Sequence, residues 1–273
     1  MNLNNKYKVS IPLAILITLI AIIYQRSTGP TYPKKFWLDT GAGDVKVKLP
    51  RSHGGDKNCP IVLPLIDKDS TATLSYKRYP TNEEWTTIPM IKRSGNLYAE
   101  LPHQPPAGKI TYFINLTTMY GTRTLGNEKD PIYIRFKADV PTYILAPHIF
   151  FMFISMLLAI LAAVEAFYKT KVFRKFCFIT TGSLLTGGLV LGPIVQKYAF
   201  GVYWAGFPYD WDLTDNKLLI SVTFCTLAAI MNLKKARPFF VILAAFVLIG
   251  MYSIPHSMQG SQYNYESKGM DYE

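Results

Sequence analysis

Long apolar runs separated by short basic segments occupy most of this chain, and one long stretch between the first two runs reads differently. Apolar residues dominate positions 9–23, 143–167, 176–195, 218–232 and 238–254. A helix needs about 20 apolar residues to cross the hydrocarbon layer of a bilayer. The runs therefore predict a membrane protein with about five transmembrane α-helices. The fourth run is short and is expected to extend into its flanks.

Residues 28–140 mix polar and apolar positions with a period of two. Alternating runs recur at 45–49, 61–65, 72–78, 86–90, 97–101, 109–116, 122–125 and 132–136, with turn residues between them. This spacing predicts an antiparallel β-sandwich. Within one run, Leu74, Tyr76 and Arg78 fall on one face and Thr73, Ser75 and Lys77 on the other. One dry and one wet side are expected. The segment 101–115, LPHQPPAGKITYFIN, resembles the corner that leads into a central strand of fibronectin type III and immunoglobulin-like sandwiches. The resemblance implies Tyr112 as the corner tyrosine.

The formal charge of +11 gains meaning only when it is located. Lys169, Lys171, Arg174 and Lys175 join the second and third runs, and Lys234, Lys235 and Arg237 join the fourth and fifth. Short basic loops face the cytoplasm. Four parts follow. Residues 1–27 form an uncleaved anchor with a cytoplasmic N-terminus, 28–140 an extracytoplasmic β domain, 141–255 a four-helix transmembrane bundle, and 256–273 an extracytoplasmic tail. The expected location is the cytoplasmic (inner) membrane, with the lipid bilayer as one partner. No basic, aromatic-interleaved RNA or DNA motif is present, which argues against nucleic-acid binding.

Three cysteines, Cys59, Cys177 and Cys225, lie far apart and form no CxxC or CxxCH. Cys59 is expected to be a small buried hydrophobe. No HExxH, Walker loop, GxSxG or dinucleotide fingerprint occurs, so no enzyme class is indicated. Glu165 stands one turn before Lys169, a spacing that suits an interfacial helix pair. Gly182, Gly187, Gly188, Gly192 and Pro193 give the third helix a small face suited to close packing.

The candidate chemistry gathers at the predicted outer side. His148 follows Pro147 at the start of the second helix and His256 follows Pro255 at the end of the fifth. The topology gives them similar depth. Between them, residues 198–217 carry Tyr203, Trp204, Phe207, Tyr209 and Trp211 around small residues, then Asp210, Asp212 and Asp215. Tryptophan and tyrosine also concentrate at membrane interfaces, and Asp212 or Thr214 suits the cap of the fourth helix. In the β domain, Arg51, His53 and Asp56 share a Gly-rich loop, and His103 precedes Gln104 and two prolines.

The outer loop and its flanking histidines resemble part of the tryptophan-rich haem-handling membrane proteins of cytochrome c assembly. The resemblance covers residues 198–217 and two histidines. It implies haem b as a ligand, with His148 and His256 as axial ligands and Trp204, Trp211 and Asp212 as the cofactor-binding loop. The family's dense Trp-Gly-x-x-Trp-x-Trp-Asp run is absent here, and a large outer domain departs from its pattern.

Taken from the residues, the leading expectation is a non-enzymatic membrane protein that presents an extracytoplasmic surface to a protein partner. Such a protein acts as a subunit or accessory factor of a cell-envelope complex. Tyr203, Phe207, Tyr209, Asp210, Arg51 and His53 are its expected contact residues. Haem handling, and an envelope enzyme using the acidic loop, stay open as alternatives.

Overall fold

A computed structural model describes residues 3–40, 43–255 and 262–271. The chain divides into a helical unit, residues 1–30 and 140–260, and a β unit, residues 31–139 and 261–272.

The helical unit holds α1 (Leu3–Thr28), α2 (Thr142–Phe167), α3 (Phe173–Phe200), α4 (Leu213–Met231) and α5 (Pro238–Ser253). Among the described residues four of these helices are long and apolar enough to cross a membrane. The exception is α5, whose 16 residues span only about 24 Å. The fifth apolar run is thus the short one. The fourth gains length by starting at Leu213, where an aspartate cap lets the polar Leu213–Lys217 segment join the helix.

The interior of this unit is built from small side chains. Ala159, Ala162, Cys177, Ala228, Ala244 and Ala245 are buried together, while Phe246 is 78 % exposed and Phe239, Ile20 and Phe150 also point outward. A water-soluble bundle has the opposite arrangement, with its largest apolar groups inside. Small residues inside let backbones approach. At Gly187 the approach is close: a Cβ there would lie 2.7 Å from the Phe151 Cβ and 3.2 Å from the Met152 nitrogen. Around it, Leu185–Leu191 form a π-helical turn within α3. The α-helical part resumes at Gly192 with Pro193 in its first turn, where a missing N–H costs no intrahelical bond.

Glu165 corrects one sequence expectation. It is buried, and its carboxylate accepts from the Thr170 hydroxyl at 2.7 Å. No Glu165–Lys169 ion pair forms among the described residues, because the helix ends at Phe167 and Lys169 takes a positive φ of 52°.

The β unit contains β1 (Lys34–Asp39), β2 (Asp44–Leu49), β3 (Ser52–Gly54), β4 (Cys59–Pro64), β5 (Thr71–Tyr79), β6 (Thr86–Pro89), β7 (Ile91–Arg93), β8 (Asn96–Leu101), β9 (Lys109–Thr118), β10 (Gly121–Leu125), β11 (Ile132–Lys137), β12 (Gln262–Asn264) and β13 (Gly269–Asp271). The main sheet runs β3-β11-β9-β5-β6, and β10 pairs with β9 beyond the end of β11. Its spine is the β5–β9 pair, in register from Thr71↔Thr117 to Tyr79↔Lys109. A second sheet, β4-β8-β7, and the β1–β2 hairpin share one core with it, including Leu49, Ile61, Leu74, Leu97, Ile114 and Phe136. The sheets are mixed rather than wholly antiparallel, since β3 runs parallel to β11.

Two further expectations change. The outer face of the central strands is not simply wet: Ser75 is buried against Thr87, and Trp85 packs edge-on against Phe113 at 4.9 Å. Tyr112 is fully buried, and its hydroxyl donates to the Pro50 carbonyl at 2.7 Å. It therefore ties β9 to the end of β2 rather than to backbone of its own corner.

Residues 262–271 were expected to be tail. They fold into the β12–β13 hairpin and belong to the β unit. The Tyr265 hydroxyl accepts from the Lys109 N–H at 3.1 Å and donates to the Lys109 carbonyl at 3.0 Å, and Lys109 Nζ donates to Gln262 at 2.9 Å. Burial pushes the Tyr265 hydroxyl up to about 12.

Two outcomes follow from this packing. Gly187→Ala lowers thermal stability in detergent by about 1–3 kcal/mol because the added methyl overpacks α2 against α3, whereas Gly182→Ala, with nothing within 4 Å, does not. The docked hairpin favours the neutral phenol, so its contribution is complete below pH 10 and is lost as pH rises towards 12. Hydrogen exchange at the Lys109 and Tyr263 amides reads that loss.

Candidate functional site

The loop between α3 and α4 is the densest cluster of unusual surface in the helical unit. It begins where α3 stops at Gly201, whose φ of 86° only glycine adopts freely. It ends at Asp212, whose carboxylate caps α4 by accepting from the Thr214 N–H at 2.7 Å and the Asp215 N–H at 3.3 Å.

Side chains of the first turn of α4 then hold the loop from beneath. Asp215 accepts from the Ala205 N–H at 2.6 Å and from the Gln196 amide at 3.1 Å. Asn216 accepts from the Phe207 N–H at 2.7 Å. The Trp204 indole donates to the Phe207 carbonyl at 3.2 Å, and the Asp212 N–H donates to the Ala205 carbonyl at 2.9 Å. Gly206 sits where a Cβ would come 2.7 Å from the Asp215 Cβ. The loop backbone lies against the helix start, with the Ala205, Phe207 and Asp212 N–H groups each given an acceptor.

Four rings are left facing outward. Tyr203, Phe207, Tyr209 and Trp211 are 59 %, 56 %, 75 % and 73 % exposed. Phe207 and Trp211 are neighbours, with ring centroids 6.2 Å apart, and Lys197 Nζ lies 5.3 Å from the Tyr203 ring centre. Asp210 turns back to accept from the Trp211 N–H at 2.6 Å.

Several residues singled out by sequence thus have structural partners. Asp212 and Trp204 frame the loop, and Asp215 lies buried under it. Their oxygens and N–H groups hold backbone, which is the helix-capping alternative among the sequence readings. Asn216 and Gln196 do equal work and carried no sequence signal beyond their nearness to Asp212 and Asp215. Lys217 is buried, and its ammonium donates to the Ile254 carbonyl at the end of α5 at 2.7 Å.

His148 lies at the same end of α2 and is half-buried. Its Nδ1 is 2.8 Å from the Gly187 carbonyl in the π-helical turn. A carbonyl only accepts, so Nδ1 carries the proton. His256 lies outside the described residues. Among the described residues no group of three or more His, Cys, Asp or Glu side chains is arranged to hold a metal ion.

Arg51 and His53 belong to the β unit, on and beside β3. His53 Nε2 donates to the Lys57 carbonyl at 3.0 Å, and the ring meets Phe136 edge-on at 5.7 Å. Burial lowers the Arg51 guanidinium from its ordinary value, opposed by Tyr112 and Asp130. His53 closes its own turn. Cys59 is buried in the core, which pushes its thiol up to about 12.

No protein-family model, curated protein or solved structure matches this chain. The class it defines is read from its own architecture: an apolar helical unit of small-residue interior, joined to a two-sheet β unit, with an aromatic loop braced on one helix start.

Asp215→Ala removes the carboxylate oxygen that accepts from the Ala205 N–H and the Gln196 amide, two charge-assisted bonds each contributing about 1.5–3 kcal/mol. Limited proteolysis is expected to cut within residues 201–211 in this variant and to leave the parent loop intact.

Proposed function

We propose that this chain is an integral protein of the cytoplasmic membrane that serves as a non-enzymatic accessory subunit of a cell-envelope complex. Its β unit and the loop from Gly201 to Asp212 face the extracytoplasmic side, and the loop docks a protein partner. Membrane residence is supported by four helices of spanning length and by large apolar side chains turned outward around a small-residue interior. Orientation is supported by the basic residues of the two short connections, Lys169 to Lys175 and Lys234 to Arg237.

The observation that carries the docking role is the exposed ring set on a braced frame. Tyrosine and tryptophan dominate the energetic centres of protein interfaces. Their rings present large area with few rotatable bonds, and a loop already held by Asp215 and Asn216 loses little freedom on binding. Rings that serve only as interfacial anchors need no such bracing, because the bilayer imposes no defined shape on them.

The test places p-benzoylphenylalanine at Tyr209 and, as a control at the opposite end of the bundle, at Tyr168, followed by irradiation of native membranes. A discrete protein adduct from position 209, absent from 168, is the expected result. Adducts to lipid alone from position 209 would show that the rings are membrane anchors and would remove the docking role.

A further inference from the structure

The β unit contains a cleft of about 530 Å³ lined by its own residues. Clefts of about 300–1,000 Å³ are the usual size for small ligands. One wall is the end of β5 with the turn that follows it, a second is the Pro102–Pro105 segment, and the third is the β12–β13 hairpin. The third wall is held in place by the two Tyr265–Lys109 bonds, the Lys109–Gln262 bond and the Tyr263 N–H to the Ala107 carbonyl at 3.4 Å.

The charge of the cleft is one-sided. Lys77, Arg78 and Lys268 line it against one carboxylate, Glu83. That carboxylate is engaged by both Arg78 Nε and Nη2 in a forked ion pair. Lys77 and Lys268 make no salt bridge among the described residues, although Lys77 Nζ sits 5.0 Å over the Trp85 ring beside the cleft, so the cleft keeps an excess of positive charge in a concave surface, where fields are focused.

Its apolar component is aromatic. The rings of Tyr263 and Tyr265 meet edge to face at 5.2 Å, and the Arg78 guanidinium lies 5.0 Å over Tyr265. Beside them stand the exposed His103 and the Gln104 amide, whose Nε2 donates to the Pro102 and His103 carbonyls and leaves its oxygen as an acceptor. Flat apolar faces rimmed by hydrogen-bonding groups and cations match a sugar ring with an apolar C–H face, hydroxyl edges and an acid group. An extended peptide fits less well, because strand addition needs open backbone. Here the Arg78 carbonyl already accepts from the Thr81 hydroxyl at 2.8 Å.

We propose that this cleft binds an anionic saccharide, a sugar bearing a carboxylate or a phosphate, with Lys77 and Lys268 meeting the charge and Tyr263 and Tyr265 the ring. The assignment stands apart from the docking loop, since no residue between Gly201 and Asp212 lines the cleft.

Calorimetric titration of the full-length protein in nanodiscs tests it with trigalacturonate, glucose 6-phosphate, the methyl ester of trigalacturonate and inorganic phosphate. Saturable binding of either charged sugar is expected, with at least tenfold weaker binding of the ester and of phosphate, on the order of what one lost charged hydrogen bond produces. Which charged sugar binds assigns the carboxylate or the phosphate. The Lys77→Gln, Lys268→Gln double variant should weaken binding about tenfold, and the Lys268→Gln single variant, altered at an exposed position, should weaken it in part with an unchanged melting temperature. Tyr209→Ala should leave binding as it was. Absence of binding by both charged sugars, equal binding of the ester, equal binding of inorganic phosphate, or an unaffected double variant would each overturn the proposal.

Discussion

Backbone groups at helix ends have no partner within their own helix, and in a bundle of apolar helices side chains must supply one. This requirement organises the helical unit. At one end Asp212 caps α4, Asp215 takes the Ala205 N–H, Lys217 reaches the Ile254 carbonyl and Gln25 donates to the Tyr252 carbonyl at 2.9 Å. At the other, the Asn232 amide donates to the Ala228 and Arg237 carbonyls while its oxygen accepts from the Arg237 N–H, and Arg174 reaches the Leu233 carbonyl. Gln25, Arg174, Asp215, Lys217 and Asn232 each join two segments. The aromatic loop is a product of the same requirement, because the groups that satisfy it also press its backbone flat and leave the rings outside.

Midway along α3 the requirement is met differently. The π-helical turn shifts the hydrogen-bond pattern so that the Gly192 N–H bonds the Gly187 carbonyl, and His148 from α2 donates to that same carbonyl. Gly187 is also a point of close approach between α2 and α3. Backbone irregularity, close approach and the bundle's half-buried histidine therefore coincide. Wide turns of this kind recur where a helix does more than pack.

In the β unit a long-range return completes the structure. The hairpin at the end of the chain docks through Tyr265 on Lys109, 156 residues earlier. It adds the third wall of a cleft that the strands of residues 31–139 leave incomplete. Its attachment through Gln262, Tyr263 and Tyr265 is by hydrogen bonds to Ala107 and Lys109.

Local pattern was enough for much of this protein. Five apolar runs gave five helices, since length and composition decide whether a segment hides its backbone in a helix. Period-two alternation located most strands, although it missed Lys34–Asp39, where lysines line an edge hairpin, Ser52–Gly54, a three-residue parallel addition, the short Ile91–Arg93, and the hairpin of Gln262–Asn264 and Gly269–Asp271. Asp212 was legible as a cap because capping is fixed by residues two and three positions away. What the tertiary structure alone decided concerns partners far apart in the chain. The pairing of His148 with Gly187, the Tyr112 bond to Pro50 and the docking of the hairpin depend on which segments meet. The acidic loop shows the division most clearly: the sequence placed carboxylates beside exposed aromatics, and only the fold determined that the carboxylates face inward to hold the loop while the rings face out.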